Sequence, residues 1–189
     1  MSKGLLVIYS GPSGCGKGTV LKKVLERRPE AILSVSVTTR APRTGERDGV
    51  EYFFRTREEF ERMLREDAFL EHAEYAGNCY GTPKRWVEEQ REAGRTVFLE
   101  IEVHGGCAVM DRCPEAVSVF LEPPSLEELE HRLRGRGTED EAVIGRRMDA
   151  ARWELEQKRR YRYHIINDTP EAAAERICAI LDAEAAERD

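Results

Sequence analysis

The nine residues GPSGCGKGT, at positions 11–19, constrain this chain more than any other stretch. They follow the apolar run LLVIYS at 5–10 and lead into TVLKKVLERR at 19–28, where Val20, Leu21, Val24 and Leu25 share one helical face. Strand, glycine turn and helix in that order make a phosphate cradle. Glycines let backbone N–H groups curl around phosphate oxygens at a helix N-terminus, and Lys17 adds a point charge for β and γ phosphates. The strict form of such a loop places Ser or Thr directly after the lysine, where its hydroxyl reaches magnesium. Gly18 stands there instead, followed by Thr19. Magnesium keeps several waters and leans on substrate phosphates, so this loop leaves the ion to nucleotide and water, and no all-protein metal site is expected.

A chain of 189 residues with 40% hydrophobic content buries one sizeable core, which favours a single domain with insertions. The net charge of −6 and pI near 5.5 argue against a general nucleic-acid coat, since that footprint makes a domain basic. Five cysteines, at 15, 79, 107, 113 and 178, are odd in number and lack C-x-x-C spacing, which speaks against a zinc site and a disulfide framework. A reducing, cytoplasmic location is the simplest expectation. Nothing approaches the ~20 apolar residues of a membrane span, and GLLVIYSG reads as a buried strand rather than a signal segment.

Apolar runs go on alternating with amphipathic ones. EEFERMLRE at 58–66 and PKRWVEEQREAG at 83–94 read as helices; TVFLEIEV at 96–103 and AVSVFLEP at 116–123 read as buried strands. PPSLEELEHRL opens a helix capped by Ser125, with Glu128 placed for a reciprocal capping box, and Thr138 with Glu141 repeats the device. The second of these helices carries an apolar stripe at Ile144, Met148, Ala151 and Leu155, and the arginine-dense hinge RGRGT lies between the two. YHIIN closes as a strand, followed by a helix capped by Thr169 with Pro170 in its first turn. Strands separated by helices imply an α/β fold with a parallel sheet covered on both faces. Residues 33–82 differ, with period-two patterning and turn signals that fit a small strand-rich insertion.

Two further features bear on chemistry. Glu100 and Glu102 end a predicted strand, at the carboxyl edge where parallel sheets meet ligands, and either can hold a metal-bound water. In SVSVTTRAPRTGE, Arg40 and Arg43 flank the rigid Pro42 and form a candidate second anion site, since forked guanidinium donors suit phosphate.

Taken together, SGPSGCGKGT, SVSVTTRAPRTGE with DGVEYFF, FLEHAEYAGNCYGTP, FLEIEVHGG, PPSLEELEHRLRGRGTE and HIIND closely resemble the guanylate kinase family, almost end to end. The resemblance implies a P-loop kinase fold: a parallel sheet flanked by helices, a GMP-binding insertion at 33–82, a helical lid at 125–155, and a core at 1–32, 83–124 and 156–189. It implies transfer of the γ-phosphoryl group of ATP to GMP, with Mg2+, in a cytoplasmic monomer or homodimer that uses neither nucleic acid nor membrane. ATP is expected at Gly11, Pro12, Ser13, Gly14, Cys15, Gly16, Lys17, Gly18, Thr19 and, less strongly, Asn167 with Asp168. The GMP phosphate is expected at Arg40, Arg43, Tyr52 and Tyr80, and the guanine at Ser36, Glu71, Thr82 and Glu102. The catalytic set is Lys17 and Arg40 with the lid arginines Arg132, Arg136 and Arg147, while Arg134 and Arg146 read as a solvated helix face.

Guanine chemistry supports this assignment. Its N1–H and exocyclic amine are neighbouring donors that one carboxylate, such as Glu71, accepts together; adenine would set an acceptor against that carboxylate. Hydroxyls of Ser36 and Thr82 can donate to O6. A site built on such bonds rejects an analogue lacking the groups by roughly 10⁴ to 10⁵. No catalytic base is needed, because the second pKa of a phosphate monoester is about 6; positioning and charge neutralisation carry the transfer. The chain departs from the family at LEIEVHG, where Glu100, Glu102 and His104 stand for side chains that are often shorter or neutral, and His104 reads as polar fill. A peptide-binding relative of the fold and a kinase for another phosphorylated acceptor are the competing readings; the intact Lys17 opposes the first, and the pair Glu71 and Ser36 the second.

Overall fold

The computed structural model describes residues 3–135 and 140–188. The chain opens with β1 (Leu6–Ser10), every residue of which is buried, and turns through the glycine loop into α1 (Lys17–Arg27). β2 (Ala31–Leu33) follows, then the short β3 (Val37–Thr38) and β4 (Phe53–Phe54), α2 (Arg57–Arg65), and the hairpin of β5 (Phe69–Tyr75) and β6 (Asn78–Pro83). α3 (Lys84–Glu92), β7 (Thr96–Glu100), α4 (Val103–Arg112) and β8 (Val117–Glu122) come next. Two helices, α5 (Leu126–Gly135) and α6 (Glu141–Gln157), precede β9 (Tyr163–Ile166) and α7 (Pro170–Ala186).

Five strands form the main sheet in the order β2-β7-β1-β8-β9, all pairs parallel. The pleat divides each strand between two cores. Val7, Tyr9, Phe98, Val119 and Leu121 face α1 and α7, while Leu6, Ile8, Val97, Leu99 and Phe120 face α3 and α4. Coverage on both faces explains why β1 reads as an apolar run and why Ser118 alone interrupts the apolar residues 117–121 of β8. β1 sits in the middle of this sheet, so the loop at its carboxyl end is anchored by the most deeply buried strand.

The second sheet, β4-β3-β6-β5, is built from the 33–82 stretch and has its own small core, in which Phe60 of α2 stacks on Phe69 with ring centroids 4.6 Å apart. Thr56 and Glu59 cap α2 reciprocally. α5 and α6 pack on each other through Leu129, Leu133, Ile144, Met148 and Ala151, a fourth core separate from those of the two sheets.

Four local expectations change. The strand expected over 96–103 ends at Glu100, and α4 begins at Val103. Gly105 and Gly106 lower helix propensity there, but close packing requires Gly106, on which a Cβ would lie 2.3 Å from the Tyr161 hydroxyl, while one on Gly105 would lie 3.1 Å from Glu71 Oε2, a tight approach. α6 is capped by Asp140, whose carboxylate accepts from Val143 N at 2.8 Å; the proposed cap Thr138 lies outside the described residues, and Glu141 is the first residue of the helix. Ser125 accepts from Glu128 N at 3.1 Å, but the Glu128 carboxylate takes Arg132 Nε at 2.8 Å instead of closing a capping box. Leu155 leaves the α6 stripe and packs into the core beneath α3 and α4.

Candidate active site

The glycine loop wraps the N-terminus of α1, which has no side-chain cap and no acidic residue in its first turn. Its first backbone N–H groups therefore keep their capacity for an anion, reinforced by the helix dipole. Gly16 holds the turn at φ 95°, and a Cβ there would come within 2.6 Å of Asn167 Nδ2. Lys17 Nζ donates to the carbonyls of Gly11 at 2.6 Å and Pro12 at 3.1 Å, which holds the ammonium over the loop. Cys15 turns its fully buried thiol into the core beside α1, and burial pushes that thiol's pKa up, so the residue offers the loop only its backbone. Asn167, itself buried, donates from Nδ2 to the Cys15 carbonyl at 2.7 Å and so braces the loop from behind. Asp168 is engaged with Arg176 at 2.8 Å.

A cavity of about 680 Å³ opens from the loop toward the second sheet; Ser36, Tyr52, Glu100, Glu102 and Glu154 line it with Lys17, Gly18 and Thr19. Glu100 and Glu154 are partly buried, and burial raises both carboxyl pKa values while the Lys17 charge opposes the rise. A Cβ placed on Gly18 would meet only Glu100 Oε1, at 3.8 Å, so a carboxylate oxygen stands beside the loop position that lacks its hydroxyl.

Across the cavity, Arg40, Tyr52 and Tyr80 form one group. The Arg40 guanidinium lies 5.4 Å from the Tyr52 ring centroid, and the two tyrosine rings are 6.1 Å apart. Arg40 Nη2 donates to Glu46 Oε1 at 2.8 Å, and the Arg43 backbone N–H donates to Glu46 Oε2 at 2.7 Å. Both bonds favour the ionised acid, Arg40 most strongly, and hold the Glu46 carboxyl below its ordinary pKa. The oxygen pair of Glu46 thus occupies donors that suit a phosphate. The sequence reading passed over Glu46, although it lies four residues after Pro42 within the same motif.

Glu71 and Thr82 meet on neighbouring strands, β5 and β6. The fully buried Thr82 hydroxyl donates to Glu71 Oε1 at 2.5 Å. Burial raises the Glu71 pKa, with Thr82 opposing as the second influence. A hydroxyl has one hydrogen, so in this arrangement Thr82 cannot also donate to a base; it orients the carboxylate.

Of the lid arginines, Arg147 reaches the loop, donating to Ser13 Oγ at 3.4 Å, while Arg132 is held by Glu128 on its own helix. Arg136 lies outside the described residues. Arg134 pairs with Glu130 at 2.9 Å and with Glu141. His104 does not enter the cavity wall: its ring stacks on Trp153 of α6, with centroids 4.0 Å apart. Sequence reasoning missed Glu154 and Trp153, which lie next to each other on a helix legible only as an amphipathic stripe.

A glycine loop on the central strand of a parallel sheet, an uncapped helix behind it, a second anion cradle on an inserted sheet and an arginine-bearing helical pair define a P-loop kinase for a small phosphorylated acceptor. The same fold appears in the crystal structure of shikimate kinase from Bacteroides thetaiotaomicron, which matches with TM-score 0.51 at 17% identity, covering 94% of this chain and 98% of that one. The family model described as guanylate kinase matches residues 3–184. Guanylate kinases from Streptococcus pneumoniae (strain R6) and Halalkalibacterium halodurans are each 51% identical to this chain, over 96% and 99% of its length and 88% and 92% of theirs. The crystal structure of guanylate kinase from Anaplasma phagocytophilum superposes with TM-score 0.73 at 38% identity, covering 97% of this chain and 87% of that one. This chain belongs to the guanylate kinase family.

Proposed function

We propose that this chain transfers the γ-phosphoryl group of ATP to GMP, giving ADP and GDP, by holding the two nucleotides on opposite walls of one cavity. The observation that carries the reading is the Glu71 carboxylate, fixed at 2.5 Å by Thr82, which lies on β6 two residues from Tyr80 of the cradle. A fixed carboxylate accepts the N1–H and exocyclic amine of guanine together and repels the N1 lone pair of adenine. Arg40 and Arg43, with the two tyrosine hydroxyls, take the GMP phosphate, displacing Glu46 from Arg40. Ser36 and Glu102 complete the base pocket from the cavity wall.

On the donor side, the backbone N–H groups of the glycine loop and of the first turn of α1 cradle the ATP phosphates, and Lys17 swings from its two carbonyls onto the β and γ oxygens. The Glu100 carboxylate at the carboxyl end of β7, with the Thr19 hydroxyl, offers oxygen donors that fit Mg2+, a hard cation that keeps waters. When bound, that ion neutralises charge spread over the phosphates. Arg147, and Arg132 once released from Glu128, bring positive charge to the transferring group; the lid also excludes water, which would otherwise intercept it. Asn167 serves ATP through the loop it braces. The acceptor phosphate is already largely ionised at neutral pH, so geometry and charge do the work. In this reading the 33–82 insertion and the 125–155 lid close on the core at 1–32, 83–124 and 156–189, and the protein works in the cytoplasm as a monomer or homodimer. No helix among the described residues is long and apolar enough to cross a membrane.

The test is a panel of AMP, CMP, UMP, GMP and dGMP as acceptors with Mg·ATP. Phosphorylation of GMP in strong preference to AMP is expected; equal use of AMP, or turnover confined to a pyrimidine nucleotide, refutes the reading.

A further inference from the structure

Trp153 is an indole left 37% exposed on a lid helix whose own core, through Ile144, Met148 and Ala151, does not include it. Its partner is His104, on the first turn of α4, with ring planes 20° apart and centroids 4.0 Å apart. That first turn also abuts the base pocket. Glu102 is the residue just before α4, and Gly105 lies so close to Glu71 Oε2 that an added Cβ would be 3.1 Å from it. The stack therefore ties the lid to the backbone that shapes the acceptor pocket, while a different face of the same helix meets the donor loop. Arg147 and Glu154, seven residues apart, lie on one side of α6; Arg147 reaches Ser13 Oγ, and Glu154 lines the cavity together with Ser13 and Lys17.

From this two-faced attachment we infer that Trp153 and His104 are positioning residues, whose stack sets the rotation of α6 and thereby delivers Arg147 to the phosphate loop in register with an occupied acceptor pocket. The inference rests on the kinase reading above. A helix held along one face alone can roll about its axis, and a second contact roughly 100° away stops it. Arg147 lies six residues before Trp153, about 9 Å along a rigid helix, so loss of the stack is felt at the guanidinium. An aromatic pair of this kind is worth a modest factor, and the effect is expected at that scale, about 2- to 12-fold. Because binding couplings are reciprocal, the same factor should appear in how much an ATP analogue tightens GMP and in how much GMP tightens the analogue.

The variants Trp153→Ala and His104→Gln remove the stack; His104→Phe keeps an aromatic ring in place. In the first two, kcat should fall about 2- to 12-fold while the Kd for GMP alone, measured by calorimetry, stays at the wild-type value, and the mutual tightening of GMP and a non-hydrolysable ATP analogue should shrink by a similar factor. His104→Phe should restore both. A packing role alone would lower the melting temperature without touching the coupling. Wild-type coupling and kcat in Trp153→Ala and His104→Gln would overturn the inference, as would failure of His104→Phe to rescue a folded protein. The coupling is read from binding alone, so it decides this point separately from the acceptor panel, which tests the kinase reading.

Discussion

Replacing Thr82 with valine removes one hydroxyl and almost no volume from a fully buried position. The lost bond is the 2.5 Å donation to Glu71 Oε1. Hydrogen bonds to an ionised acceptor contribute about 1.5–3 kcal/mol, which corresponds to roughly 10- to 150-fold in any equilibrium that needs the ionised carboxylate. Binding of guanine is such an equilibrium, because a protonated Glu71 would turn an O–H against the N1–H of the base. The sign of the pH effect follows. Burial already raises the Glu71 pKa, Thr82 opposes that rise, and removing Thr82 raises it further. The acid limb of the kcat/KM profile for GMP should therefore move to higher pH. A coupled assay of ADP release, run from about pH 5 to pH 9 with each substrate varied in turn, should show KM for GMP raised most at the acid end of that range, by up to about 10- to 150-fold, with KM for ATP unchanged. A variant that weakens ATP instead, or that leaves the acid limb of the GMP profile in place, would refute the placement of Glu71 and Thr82 in the acceptor pocket.

The remaining expectations concern the loop and its supports. Lys17→Ala should lose on the order of 10² or more in turnover, with a melting temperature near wild type, because among the described residues the ammonium hydrogen-bonds to two loop carbonyls, those of Gly11 and Pro12; near-normal turnover would remove the loop from the mechanism. Gly16→Ala combines φ 95° with a 2.6 Å clash against Asn167 Nδ2 and should cost about 1–3 kcal/mol in urea melts. Gly18→Ala, whose nearest obstacle is Glu100 Oε1 at 3.8 Å, should change stability by less than about 1 kcal/mol, and equal effects of the two would contradict the loop geometry. Asp168, paired with Arg176 first and the Thr169 N–H second, has its pKa lowered to about 2. A depressed carboxylate stabilises the fold above its unfolded value of about 3.9 and loses that contribution as pH falls through the folded value of about 2. Thermal melts of Asp168→Asn should accordingly show a shallower decline than wild type across that acid window; parallel curves would mean that the pair contributes nothing measurable.

Local pattern carried much of this molecule. The largely apolar runs of β1 and β8 announce strands buried on both faces, the glycines of the loop announce a backbone that must bend around an anion, and Thr169 with Pro170 marks where α7 begins. These are near-neighbour properties, governed by steric limits, periodicity and unsatisfied backbone donors within a few residues. Other features depended on residues far apart in the chain. VHGGCAVMDR has poor helix propensity, yet α4 forms because its glycines admit Tyr161 and Glu71 from distant elements. Thr82 turns from a base-facing donor into the support of Glu71 because β5 and β6 pair, and Asn167 becomes a brace because β9 ends beside Cys15. Likewise His104 acquires an aromatic partner 49 positions away only when the lid helix lies down on α4. One-dimensional pattern records which face of a segment seeks burial and which backbone groups need partners; it does not record which side chain arrives from elsewhere to fill a given space, and that is decided by how the four cores pack together.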